Sequence, residues 1–291
     1  MPPSSRSATP WLFLMPALLL LSLSVLIPAV LALLMSFTRS GLDVSEPLAW
    51  VGLSNLRRLW ADAVFRRVLG TTVLYLVGVV PPIVVSSLGL AILVNRKLPG
   101  IQLLRAAYYT PVLVSIVVAA IAFRWLYAEN GLLNGLLATW MGSEPIGFLA
   151  DPRLALVSVM VVTFWKGIGY YMVIFLAGLQ GIPVELYEAA ALDGCRGWRV
   201  HLHITLPLLR PYVVLVAVIS AIAATKVFEE VFLMTQGGPA GSTRTLVYYV
   251  YDQAFRELDI SYACTVGLAL FLLVVLLTLL RFSVAQSSRF L

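Results

Sequence analysis

Apolar and polar positions along this chain alternate in long blocks. Five stretches carry no Asp, Glu, Lys or Arg: 7–38, 68–95, 106–123, 167–184 and 260–280. Runs of that length match the ~20 apolar residues an α-helix needs to cross a ~30 Å hydrocarbon core. With their flanks they predict six membrane-crossing helices, at about 11–37, 68–94, 105–127, 154–179, 207–234 and 258–281. The first run is well past the ~7–15 residues of a cleavable signal's apolar region, so a retained span is expected. Pro16, Pro28, Pro81 and Pro82 lie inside spans; membrane helices tolerate proline where neighbours re-satisfy the freed backbone groups.

Between the spans, 38–67 is polar, with Arg57, Arg58, Arg66 and Arg67 at near-helical spacing among Leu56, Leu59, Trp60 and Val64. That pattern predicts an amphipathic helix lying in the membrane interface. Gly131, Asn134, Gly142, Pro145, Asp151 and Pro152 mark the stretch after the third span as a loop. Gly131-x-x-x-Gly135 then reads as a pair of loop glycines rather than as a helix-packing motif. The expected organisation is a first helix with its amphipathic segment (1–67), a core of five helices (68–282) containing the polar stretch 180–206, and a short tail (283–291).

Composition sharpens this picture. Residues of the set AVILMFWYC make up 60% of the chain and charged residues 12%, with a mean hydropathy of +0.95. A disordered chain is excluded, because that class has low hydrophobicity and high net charge; a soluble globule would lack the charge to cover its surface. The net charge of +6 fits lipid headgroups better than nucleic acid. With six spans both termini lie on one side, yet nine Lys and Arg then fall inside and eight outside. Charge alone does not orient the chain.

Enzyme chemistry finds no support. No glycine is followed by lysine, so no GxxxxGK[ST] phosphate loop exists. HExxH and GxSxG are absent, and His201 and His203, two apart, do not share a helix face. Cys195 and Cys264 lack metal spacing. Neither a catalytic nor a metal-binding residue is expected.

The most informative stretch is 182–207, IPVELYEAAALDGCRGWRVHLHITLP. Pro183 suits the first position of a helix, and Glu185 and Glu188 suit its positive end. Gly194 is placed to end that helix with a left-handed cap. A second short helix fits 198–204, and Pro207 would open the fifth span. From physics alone this is either an interfacial loop helix or an elbow whose small side chains admit a partner.

The same stretch resembles the signature of binding-protein-dependent ABC transporter permeases: EAA, three residues, Gly, nine residues, Ile-x-Leu-Pro. Glu188, Ala189, Ala190, Gly194, Ile204, Leu206 and Pro207 hold its fixed positions. The resemblance extends to the segments 51–59, 151–183 and 226–255, including Thr235 and Gly237-Gly238-Pro239, and points to the carbohydrate-uptake branch that serves maltose, trehalose or glycerol phosphate. Cys195, in place of the usual alanine, and Ser261-Tyr262-Ala263-Cys264, a looser form of GYAAA, depart from the pattern. The resemblance implies an all-α polytopic membrane protein of type I ABC importer permease architecture in a prokaryotic inner membrane. It also implies cytoplasmic termini and a cytoplasmic coupling loop. The implied partners are a second permease, an ATPase dimer that binds the ATP and magnesium, and an external solute-binding protein.

Charges inside spans are costly and mark a pathway or an internal pair. Lys226, read as helical with Glu229 and Glu230 at i+3 and i+4, shares a face with both. Lys166 stands beside Trp165 and near Tyr170. These six residues are candidates for a sugar pathway, since rings stack on sugar faces and carboxylates accept hydroxyl hydrogen bonds. Mutual neutralisation of Lys226 and Glu230 is the alternative. Rival functions are a permease for a non-sugar solute such as glycerol phosphate, polyamine or phosphate, an ion-coupled carrier, or an intramembrane enzyme. The last two would show inverted repeats or an interfacial His/Asp/Ser cluster.

Overall fold

A computed structural model describes residues 9–39, 48–96 and 98–287. Its contacts divide the chain into two units, one of the described residues up to Phe65 with Val250–Ala269, the other of Arg66–Tyr249 with the described residues from Leu270 onward.

In the first unit, α1 (Trp11–Met35) is apolar but for Ser22 and Ser24, and none of its residues is buried. A two-residue antiparallel pair follows, β1 (Thr38–Arg39) with β2 (Ala49–Trp50), in register Thr38↔Trp50. On α2 (Ser54–Ala61) the buried residues are Asn55 and Leu59, one turn apart. Asn55 Nδ2 donates to Ser36 O (3.0 Å) and Thr38 O (2.7 Å). The amphipathic segment expected as one helix is divided. Asp62 takes an extended backbone and accepts from the Val64 N–H at 2.7 Å, so a new helix, α3 (Ala63–Val94), starts there. Arg66 and Arg67 therefore belong to the second span, which begins before residue 68. Residues 40–47 of the expected segment, and the tail beyond 287, lie outside the described residues.

The second unit continues α3 and adds α4 (Ile101–Leu113), α5 (Ile116–Leu126), α6 (Leu132–Met141), α7 (Pro152–Gln180), α8 (Val184–Leu192), α9 (Trp198–Leu208), α10 (Arg210–Thr225), α11 (Glu229–Met234) and α12 (Leu246–Tyr251). The last helix, α13 (Ile260–Ser287), runs through both units. Asp151 caps α7 by accepting from the Arg153 N–H at 2.7 Å, with Pro152 at the first helical position. The core of this unit is built from Tyr75, Val79 and Ile83 of α3, Val159, Met172 and Phe175 of α7, Val216 of α10 and Tyr248 of α12.

Among the described residues four helices are long and apolar enough to cross a membrane, and two bent pairs bring the total to as many as six crossings. The bent pairs correct two predicted spans. The third breaks between Leu113 and Ile116, where α4 and α5 diverge by 93°, because Val114 and Ser115 are extended. The fifth ends at Thr225; Lys226 leaves the helix and α11 begins at Glu229. Pro207 does not open that span either. It lies within α9, and the bend of 71° to α10 comes at Leu209. A third correction concerns Gly131 and Gly135, which sit at the cap and inside of α6 rather than in a loop.

Candidate functional site

Two groups of residues singled out in the sequence form separate features of the second unit. The first is the elbow of α8 and α9. Helix α8 ends in a Schellman turn: Gly194 has φ +75°, its N–H reaches Ala191 O (3.2 Å), and the Cys195 N–H reaches Ala190 O (2.9 Å). A side chain at Gly194 would have room; backbone handedness is what requires glycine. Pro183 is the residue before the helix, and Glu188 lies in its second turn. Tyr187 OH meets Thr205 Oγ1 at 3.2 Å, tying α8 to α9, and His201 Nδ1 meets the same hydroxyl at 3.2 Å from within α9. Leu209, at the bend, is fully buried in the core. Outward the elbow presents Glu188 and Ala189, both exposed, with Leu192 at 90% and Trp198 at 69% exposure. Ala190 and Thr205 turn inward; Ile204 is half-buried, and Leu206 and Pro207 are exposed. Among the described residues the Glu188 carboxylate has no hydrogen-bond or ion-pair partner.

The second feature is a cleft of about 220 Å³ between α3, α5, α7, α10 and α11. Lys166, Lys226, Glu229 and Glu230 all line it, with Thr163, Tyr171 and Ser220, against an apolar wall of Val79, Ile83 and Ile116. Lys166 Nζ donates to Val112 O (3.1 Å) and Val114 O (2.7 Å), carbonyls left without helical donors by the break in the third span. A cation at the negative end of α4 is also favoured by the helix dipole. Gly169 of α7 lets α4 come close, because a Cβ there would collide with Tyr108 O. Glu230 is buried. Its Oε1 accepts from Thr163 Oγ1 (3.1 Å), which lies 2.5 Å from Tyr75 OH.

This arrangement corrects the pairing read from the sequence. With Lys226 off the helix, the i+4 geometry is lost, and among the described residues Lys226 makes no ion pair with either glutamate. The charges acting on Glu230 are Glu229 and Lys166. Trp165 packs on Phe123 (centroids 5.1 Å) and Tyr170 on Tyr171 (5.2 Å), so neither lines the cleft. Sequence reasoning missed Tyr75 and Thr163, uncharged polar residues within long, largely apolar helices. Thr235 and the Gly237-Gly238-Pro239 turn hold a loop together: Thr235 Oγ1 meets Thr243 Oγ1 (2.8 Å), which donates to Gly238 O (2.8 Å), while Tyr248 OH donates to Gln236 O (2.7 Å). Among the described residues no three His, Cys, Asp or Glu side chains gather as a metal site.

The chain is similar to known proteins over nearly its whole length. It is 37% identical over 285 residues to the lactose transport system permease protein LacF of Rhizobium radiobacter, covering 96% of this chain and 94% of that one. It is 32% identical over 287 residues to the arabinooligosaccharides transport system permease protein AraP of Bacillus subtilis, covering 97% and 90%. In fold it matches a chain of a bacterial alginate ABC transporter, solved in complex with an alginate pentasaccharide-bound periplasmic protein. That match has a TM-score of 0.81 and 20% identity, and covers 95% of this chain and 93% of the other. The family model for the binding-protein-dependent transport system inner membrane component matches residues 50–289. With its spans, its broken helices and its EAA elbow, the chain is a membrane permease belonging to that family of ABC importers.

Proposed function

We propose that this permease imports a saccharide, and that the elbow at 184–208 receives the force of ATP hydrolysis from a separate subunit. The observation that carries the reading is the elbow's construction. It is braced internally by Thr205 and joined to the core through Leu209, yet it turns a carboxylate without a described partner and two apolar side chains outward. Exposed Trp and Leu beside a charge are what a protein partner covers. ATP and magnesium belong to that ATPase pair; a second permease completes the pathway, and an extracytoplasmic binding protein delivers the solute. The elbow and both termini are then cytoplasmic. A saccharide is favoured by the relatives that carry lactose and arabino-oligosaccharides, and by a cleft with hydroxyl-binding groups on one wall and apolar side chains on the other. Lys166, Lys226, Glu229 and Glu230 face the solute there, while Trp165 and Tyr170 shape the wall behind them.

Glu188→Lys and Gly194→Val test the coupling role. Both variants should insert at normal membrane abundance, lose the ATPase on detergent extraction and abolish uptake of labelled disaccharide. A truncated charge contact at a covered interface costs on the order of 2–5 kcal/mol. Unchanged co-purification and uptake in both variants would reduce the elbow to an interfacial loop.

A further inference from the structure

We propose that a polar cleft in the first unit is the seat of the solute-binding protein, which places in it a loop bearing one acidic and one basic side chain. The inference rests on the proposed function for the side of the membrane. In that topology the segments after the first and fifth spans, which carry Arg39 and Asn55 on one hand and Glu257 to Asp259 on the other, both lie outside, where solute is delivered.

The cleft holds about 610 Å³, within the ≈300–1,000 Å³ typical of binding sites. Its walls are cross-linked by hydrogen bonds and an ion pair without any occupant. Asn55 spends both amide hydrogens on Ser36 O and Thr38 O. Arg58 is clamped between Asp259 (2.6 Å) and the ring of Tyr262 (3.9 Å from the centroid). Tyr262 in turn donates its N–H to Asp259 Oδ1 (3.0 Å) and its hydroxyl to Asp62 Oδ2 (2.7 Å). A preorganised frame of this kind loses little freedom when a partner arrives.

Among the lining residues not used in the frame are Arg39, Glu257 and Leu258. Arg39 and Glu257 are exposed, and among the described residues neither forms an ion pair. Leu258 is 60% exposed at φ +57°, a left-handed conformation that side chains bearing a Cβ rarely adopt. The cleft thus offers a cation, an anion and an apolar knob on a fixed base. That set complements protein side chains. A free sugar would look for an aromatic face, and none of the described residues that line the cleft is aromatic.

The test uses the complete transporter reconstituted in proteoliposomes with its own binding protein, and reads ATP hydrolysis against binding-protein concentration. Arg39→Glu and Glu257→Lys should each raise the half-saturating concentration about tenfold and weaken its salt dependence, leaving hydrolysis without binding protein unchanged. Arg57→Glu, on the same helix as Asn55 but away from the cleft, should change nothing. If a charge reversal prevents assembly, Arg39→Gln and Glu257→Gln should give the same shift at a smaller size. Unchanged half-saturation in all four cleft variants overturns the proposal. So does stimulation by free disaccharide that the cleft variants abolish, since the cleft would then hold solute. A wild-type complex that the binding protein does not stimulate would instead refute the proposed function itself.

Discussion

The chain bends sharply at two places, and the two bends are held by different physics. At 114–115 the extended backbone leaves carbonyls without helical donors at membrane depth, and Lys166 from another helix supplies the missing hydrogens. At Leu209 hydrogen bonding continues through the bend, from Leu209 N to Thr205 O and from Val213 N to Leu209 O, both 2.9 Å, and a fully buried side chain anchors it. The first bend needs a polar partner from elsewhere in the chain, since an unsatisfied backbone group in hydrocarbon costs several kcal/mol. The second needs only packing. A bend of the first kind is bistable in principle, because its partner either donates or does not. A bend of the second kind passes displacement along, which is what a lever between a docking elbow and a transmembrane core has to do.

Four substitutions can break or sharpen that contrast. Lys166→Met removes the donor of the first bend and the cation acting on Glu230. It should destabilise the solubilised protein by about 2–4 kcal/mol and bring uptake to background; an unchanged melting profile in detergent would mean the carbonyls find other donors. Gly169→Val pushes α4 away from α7 and should cost about 1–3 kcal/mol, with a loss of uptake that tracks the loss of folded protein. Thr163→Val breaks the chain from Tyr75 to Glu230. Hydrogen bonds between membrane helices contribute about 0.5–1.7 kcal/mol, so a modest drop in melting temperature is expected. A double-mutant cycle should then show coupling of Glu230 to Thr163 and to Lys166, and none to Lys226. Tyr187→Phe should have the smallest effect on the fold, under about 1 kcal/mol, while slowing ATP-driven uptake measurably because the brace between α8 and α9 is loosened. If it destabilises the core as much as Thr163→Val does, the elbow is part of the core and the contrast fails.

The long apolar spans were legible because the length of an apolar run is a one-dimensional property; the start of α7 was not, since Asp151 and Pro152 read as loop residues and in fact cap and open the helix. The left-handed end of α8 was legible, since Gly194 acts on its own turn. The breaks were not. What makes the first one tolerable is a lysine more than fifty residues away in sequence, and no local pattern announces such a donor. Lys226 was misread because helical spacing was carried past Thr225, where the helix stops, as far as Glu230. Tyr75, Thr163 and Glu230 come from three helices, so their hydrogen-bond chain exists only after packing.

The unburied first helix has a consequence for the membrane itself. Its 25 residues rise ~37 Å at 1.5 Å each, more than a ~30 Å hydrocarbon core. The buried polar fastenings after it gather at its C-terminal end, where Ser36 O accepts from Asn55 and Thr265 and Thr38 meets Ser261. None of its described side chains is buried, and a helix longer than the hydrocarbon core can accommodate the excess by tilting. Reconstitution into lipids of graded chain length should therefore move this helix before it disturbs any other.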